Sequence, residues 1–146
     1  MLPRGREECA GALQGRMDNE LHLGVASWNG GRFSEAADRF EDVWVGELGA
    51  RRECLRGLIH AAMGLHYAAA GDVDAARSKL ATAARLLAPL PADFMGLDLD
   101  GLRSEVGALR VRIEAKEIPD GPPVGPSDGR FPHVRVLPAG KRDASR

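Results

Sequence analysis

The chain has 146 residues, a formal net charge of −1, 5 % aromatic residues and only two cysteines, Cys9 and Cys54. One domain with a single buried core fits this length, and sparse aromatics with abundant Ala, Leu and Gly favour helices packed through small side chains over a β-sandwich. A near-neutral charge gives no electrostatic reason to seek nucleic acid or anionic lipid, and two cysteines with no zinc-like spacing make neither a disulfide framework nor a metal knot. The first twenty residues do not read as a secretory signal and no run of eighteen apolar residues occurs, so the expected place is the cytoplasm, with no membrane contact.

Residues 1–15 form a mixed lead-in. A first helix is expected from about Gly15 to Trp28, stopped by Asn29-Gly30-Gly31, because Asn and Gly accept the left-handed backbone that ends helices. The next helix starts near Phe33, with Phe33, Ala36, Ala37, Phe40, Val43 and Trp44 on one inward stripe and Glu35, Asp38 and Asp42 facing away. A third, from about Arg51 to Ala70, is apolar on most sides, which marks a central element; Leu55, Leu58, Ile59, Ala62, Leu65, His66 and Ala69 are assigned to its inward face. Gly71-Asp72 supplies a turn and an N-cap, and Val73, Ala76, Leu80, Ala83 and Leu87 then repeat at 3-4-3-4 spacing until Pro89 and Pro91. Asp98 is placed to cap a fifth helix carrying Leu99, Leu102, Val106, Leu109 and Ile113, with Phe94 and Met95 anchoring the loop before it.

The first four helices repeat at a spacing of forty. Leu23-Gly24 recurs as Met63-Gly64, Gly31 as Gly71, Ala36 as Ala76 and Phe40 as Leu80. This is the grammar of a helix, a Gly turn and a second helix, in which the small residues let two backbones approach and the large one fills the next turn. The expected fold is therefore all-α: a compact bundle of about five helices over 16–117, built from two helical hairpins, followed by a Pro/Gly-rich tail over 118–146 that is extended or flexible. That tail carries five basic and three acidic residues. Its apolar stretch, Phe131 to Leu137, either straps the helical body or awaits a partner.

The hairpin pattern resembles tetratricopeptide packing at Met63-Gly64, Tyr67, Ala76, Leu80 and Pro89, although two copies are fewer than a solenoid needs. A second resemblance is carried by Trp28-Asn29-Gly30-Gly31-Arg32-Phe33-Ser34-Glu35-Ala36 with Phe40-Glu41 and Trp44. Leu55-Arg56-Gly57-Leu58-Ile59-His60-Ala61-Ala62 and Gly96-Leu97-Asp98-Leu99 extend it. These blocks are similar to a bacterial and archaeal family catalogued as the domain of unknown function numbered 309. The resemblance implies a compact all-α domain and no known activity. Where that family has a His and a second Glu, this chain has Ala37 and Asp38; where it has two Gln, this chain has Arg56 and His60.

Residues 18–48 hold seven acidic against two basic residues. Glu35, Asp38, Glu41 and Asp42 make either a solvated helix face or a carboxylate site for a cation or a basic partner; acids near a helix start are ordinary. Glu41 is assigned to the edge of the apolar stripe as a half-buried carboxylate, with Arg56 or His66 as its partner. That gives either a tie fixing helix register or a small pocket of Glu41, Trp44 and His66. Arg51, Arg52 and Arg56 are expected to pair with the acids of the second helix. The candidate ligand-binding set is Glu35, Glu41, Trp44, Arg56 and His66. No phosphate loop, dinucleotide fingerprint or nucleophile elbow occurs, and no catalytic residue, metal site or cofactor is assigned. The leading expectation is a non-enzymatic interaction or scaffold protein with a protein partner of unspecified identity; the alternative is a small-ligand or metal-binding protein using the pocket.

Overall fold

A computed structural model describes residues 19–116 and 131–137. Within them lie five α-helices: α1 over 19–29, α2 Phe33–Trp44, α3 Gly49–Ala69, α4 Val73–Leu87 and α5 Leu99–Glu114, with a short 3-10 turn at Phe94–Gly96 before α5. The lead-in 1–15 and the tail outside 131–137 lie beyond the described residues.

The two hairpins repeat in detail. The turn after α1 closes with Gly31 N–H on Trp28 O at 2.9 Å and Arg32 N–H on Ser27 O at 2.8 Å. The turn after α3 closes in the same way, with Gly71 N–H on Ala68 O at 3.1 Å and Asp72 N–H on Tyr67 O at 2.9 Å. This pair of bonds satisfies carbonyls that the ending helix leaves free, and it requires a left-handed residue. Gly31 (φ 84°) and Gly71 (φ 85°) supply it. Inside the hairpins, a Cβ on Gly24 would lie 2.6 Å from the Phe40 ring, and one on Gly64 would lie 2.7 Å from Leu80. The small residue of each first helix therefore receives the large residue of its partner, while Ala36 and Ala76 are wholly buried.

Helix α3 is the spine, packed against α2 on one side and α4 on the other. Its buried residues are Cys54, Leu55, Gly57, Leu58, Ala61, Ala62, Gly64, Leu65 and Ala68. The sequence-based inward face needs correction here. His66 is exposed and Ile59 only partly buried. The helix meets α4 through its glycines and alanines, so the buried stripe is rotated toward those small residues and carries His66 out to solvent, where its ring lies edge-on to Tyr67 at 5.4 Å.

Asp72 and Asp98 cap α4 and α5, accepting from Ala75 N–H (3.2 Å) and Gly101 N–H (2.9 Å); such caps contribute about 1 kcal/mol each. Arg103 of α5 donates to the carbonyls of Leu87 (2.9 Å) and Leu90 (2.6 Å), which satisfies the C-terminal end of α4 and ties the two helices. Among the described residues, no helix is long and apolar enough to cross a membrane.

Cys54 is fully buried in α3, and burial pushes its thiol up to about 12. Only the thiolate reacts quickly. In native protein at pH 8, Cys54 is expected to resist a disulfide reagent for as long as the core stays closed, and to react within seconds in denaturant. Rapid native labelling at Cys54, located by mass spectrometry, would contradict this packing.

Candidate functional site

Two places gather side chains that the fold positions for binding. The first is the end of α1. Trp28 is buried between Phe33 (centroids 6.1 Å apart, edge-on) and Phe40 (6.3 Å). Its indole N–H emerges from that cluster and donates to Pro132 O at 2.8 Å. Asn29 next to it pairs with Val134 in both senses: its amide donates to Val134 O at 2.7 Å, and its oxygen accepts from Val134 N–H at 2.9 Å.

Residues 131–137 thus lie extended across the body. Phe131 and Val134 are buried, Phe131 with its ring 5.8 Å from Phe33. At the far end Arg135 O accepts from Asp98 N–H and Leu137 N–H donates to Gly96 O, both at 2.8 Å, around an antiparallel bridge of Leu97 with Val136. Glu105 of α5 takes the side. Its carboxylate accepts from Arg135 at 3.1 and 3.4 Å and from His133 N–H at 3.4 Å. Six of these bonds go to the main chain of 131–137, so the arrangement grips a backbone in a fixed register, while two apolar cups and one carboxylate read side chains.

The sequence reads Asn29-Gly30-Gly31 as a helix stop after Trp28 and assigns neither Trp28, Asn29 nor Glu105 to a binding site. A signal was present. In the repeat, Trp28 and Asn29 correspond to Ala68 and Ala69, so the two copies differ just where the extended segment lands.

The second place is a cleft of about 150 Å³ lined by Glu41, Trp44, Arg56, Ile59 and His60. It brings together Glu41, Trp44 and Arg56 of the sequence-predicted set. It does not include His66, which is exposed on another face, or Glu35, which lies about 9 Å of helix rise or more from Glu41. The histidine of the cleft is His60, whose imidazole is pushed down by burial first, and then by Lys79, Arg56 and Arg85 around it. Glu41 is exposed rather than half-buried.

The three arginines do not reach the acids of α2 either. Arg51 pairs with Glu47 at 2.9 Å and Arg56 with Glu53 of its own helix at 3.0 Å, while Arg52 stacks 3.8 Å over the Trp44 ring. The short α2–α3 connection offers nearer acceptors than the solvent-facing side of α2. Arg52 also shields the indole, and the buried Trp44 Nε1–H finds no acceptor among the described residues.

Glu35, near the start of α2, accepts from the Ser27 hydroxyl and from Arg32 at 3.1 Å. The Ser27 bond first, and then Arg32, hold its carboxyl below the usual range. Whatever stability it adds is present above the ordinary carboxylate pKa and is lost as pH falls through the lowered one. Among the described residues, no three His, Cys, Asp or Glu side chains converge as a metal site.

Comparison with protein-family models finds one similarity. Residues 21–78 match the model of the family described as "Domain of unknown function (DUF309)". The matched stretch holds most of α1, the Trp28-Asn29 turn, the Glu41–Trp44 cleft and the start of α4, and it is similar to that family. No curated protein matches the chain.

Proposed function

We propose that the chain is a non-enzymatic interaction protein whose binding surface is the Trp28–Asn29 end of the first hairpin. The observation that supports this most is the paired hydrogen bonding of the Asn29 amide to Val134, because a side chain that copies a strand's donor and acceptor receives an extended segment by its backbone. The two hairpins and α5 form the frame, and the recognition groups sit at the end of α1 and on the side of α5. The experiment uses the full chain carrying Phe131→Ala and Val134→Ala, which weakens its own occupant. A fluorescent peptide spanning 128–139 is expected to bind this chain at micromolar concentration and to lose at least tenfold on further change of Asn29 to Ala. Absence of binding, with helicity unchanged by circular dichroism, would refute the reading.

A second reading is supported by the unpartnered Trp44 N–H beside its cleft, since a buried donor left unbonded costs about 1–3 kcal/mol. On this reading the cleft takes a small ligand that brings an acceptor. Thermal shift against divalent metals and metabolites tests it: a stabilising compound whose effect is lost in Glu41→Ala and kept in Asp42→Ala favours the cleft, and a flat panel counts against it.

A further inference from the structure

We propose that the cleft of Trp28, Asn29 and Glu105 recognises, in place of residues 131–137, an extended segment of a partner protein with the pattern aromatic–Pro–x–aliphatic–Arg. This rests on the interaction reading above and names the partner's chemistry. Each position of the pattern follows from a contact. The aromatic side chain fills the cup against Phe33, where Phe131 is 2 % exposed. The second residue presents its carbonyl to the Trp28 indole, and proline there contributes no N–H that would be buried without an acceptor. The third is half-buried, and its N–H donates to Glu105 at 3.4 Å. The fourth is clamped by Asn29 through both main-chain groups, and its side chain is 1 % exposed. An aliphatic β-branched residue both fills that space and favours the extended backbone. The fifth is basic, because Glu105 faces it from α5 at 3.1 and 3.4 Å and Asp98 adds to the same field.

The chain's own segment satisfies all five positions and is joined to α5 through residues 117–130. Segment and cleft belong to one chain, so a partner competes with an intramolecular occupant whose effective concentration is on the order of millimolar for a short linker. A partner therefore has to match the pattern well to compete, and the tether sets the threshold for binding.

The test measures peptide binding by anisotropy to the full chain carrying Phe131→Ala and Val134→Ala. The probes are the 128–139 peptide and versions altered at one position. Changing the peptide's aromatic residue to Ala is expected to weaken binding at least about thirtyfold, and changing its Arg to Glu about five- to tenfold. A chain that also carries Glu105→Arg is expected to invert the preference between the Arg and Glu peptides. If peptides bind but the ranking is flat, or if Glu105→Arg does not invert it, the partner pattern is wrong while the interaction reading stands. If nothing binds, both fail.

A second arm does not depend on weakening the core. A protease site placed within 117–130 and cut after folding removes the covalent link between α5 and the segment. Chase of that tail by the unaltered peptide, and not by the one lacking the aromatic residue, supports the proposal; a tail that no peptide displaces overturns it. Size-exclusion of the weakened chain reports the remaining occupant. A monomer is expected, and a concentration-dependent dimer would assign the cleft to a second copy instead.

Discussion

Leu80→Ala is expected to destabilise the protein by about 2–5 kcal/mol, the range for removing a fully buried leucine from a tightly packed core. The informative result comes from combining it with Gly64→Ala. In a helix interior alanine is worth about 1 kcal/mol more than glycine. At Gly64, though, a Cβ would sit 2.7 Å from both Leu80 Cδ2 and Cγ and 3.3 Å from the Leu80 backbone nitrogen. Leu80 has no free space to yield, so overpacking of about 1–3 kcal/mol outweighs the propensity gain, and Gly64→Ala alone destabilises. Once Leu80 is alanine the new methyl enters the space just vacated. Gly64→Ala should then stabilise, giving a coupling of at least about 1 kcal/mol between the two sites. Gly107→Ala is the control: a Cβ there meets nothing within 4 Å, so that change should raise stability by up to about 1 kcal/mol. Urea unfolding followed by helical circular dichroism measures all four chains. Additive effects of Gly64 and Leu80 would mean that the two helices do not meet where the repeat places them.

That sign change also explains why the hairpins were legible in the sequence. A glycine that must receive a large side chain forty residues from an equivalent pair leaves a pattern in residue size, and size is written in the letters. Gly24 with Phe40 and Gly64 with Leu80 could be matched by spacing alone, and so could the left-handed Gly31 and Gly71.

His66 was misplaced for a related reason. The face read for α3 held Leu55, Leu58, Ala62 and Leu65, which are buried, together with Ile59, His66 and Ala69, which are not; the helix buries Gly57, Ala61, Gly64 and Ala68 as well, with Gly57 against Leu86 and Leu87 and Gly64 against Leu80 of α4. Small residues carry little hydrophobic signal, yet here they decide the rotation. The same rotation brings His60 rather than His66 to the cleft with Glu41 and Trp44.

The sequence offered 131–137 as a strap or as a segment awaiting a partner, and it lies on the body as a strap; the place where it lands was not legible. Most of its bonds go to main-chain atoms, which every residue has, and Trp28 and Asn29 lie 104 and 105 residues away in the chain from the groups they hold. What a sequence can display is the mismatch of Trp28-Asn29 with Ala68-Ala69, and that marks a place without naming its occupant.

Trp28 is where the two systems meet, so its variants should separate them. Trp28→Ala removes the ring that packs on Phe33 and Phe40 together with the donor to Pro132. A loss of about 3–5 kcal/mol is expected, as for other buried aromatics cut to alanine. Trp28→Phe keeps most of the apolar contact but leaves the buried Pro132 carbonyl without its partner, at about 1–3 kcal/mol. Because the lost bond joins the helical body to 131–137, that cost should fall on the attachment of the segment more than on the helices. Helical unfolding should therefore shift little, while trypsin cleavage after Arg135 should accelerate roughly five- to thirtyfold, the factor that 1–2 kcal/mol represents in an opening equilibrium. Asn29→Ala should reproduce the cleavage effect without altering the Trp28–Phe33–Phe40 cluster, since its bonds to Val134 are made outside it. If Trp28→Phe instead lowers helix stability and leaves cleavage at Arg135 unchanged, the indole N–H is not what holds the segment, and the ring alone accounts for the tryptophan.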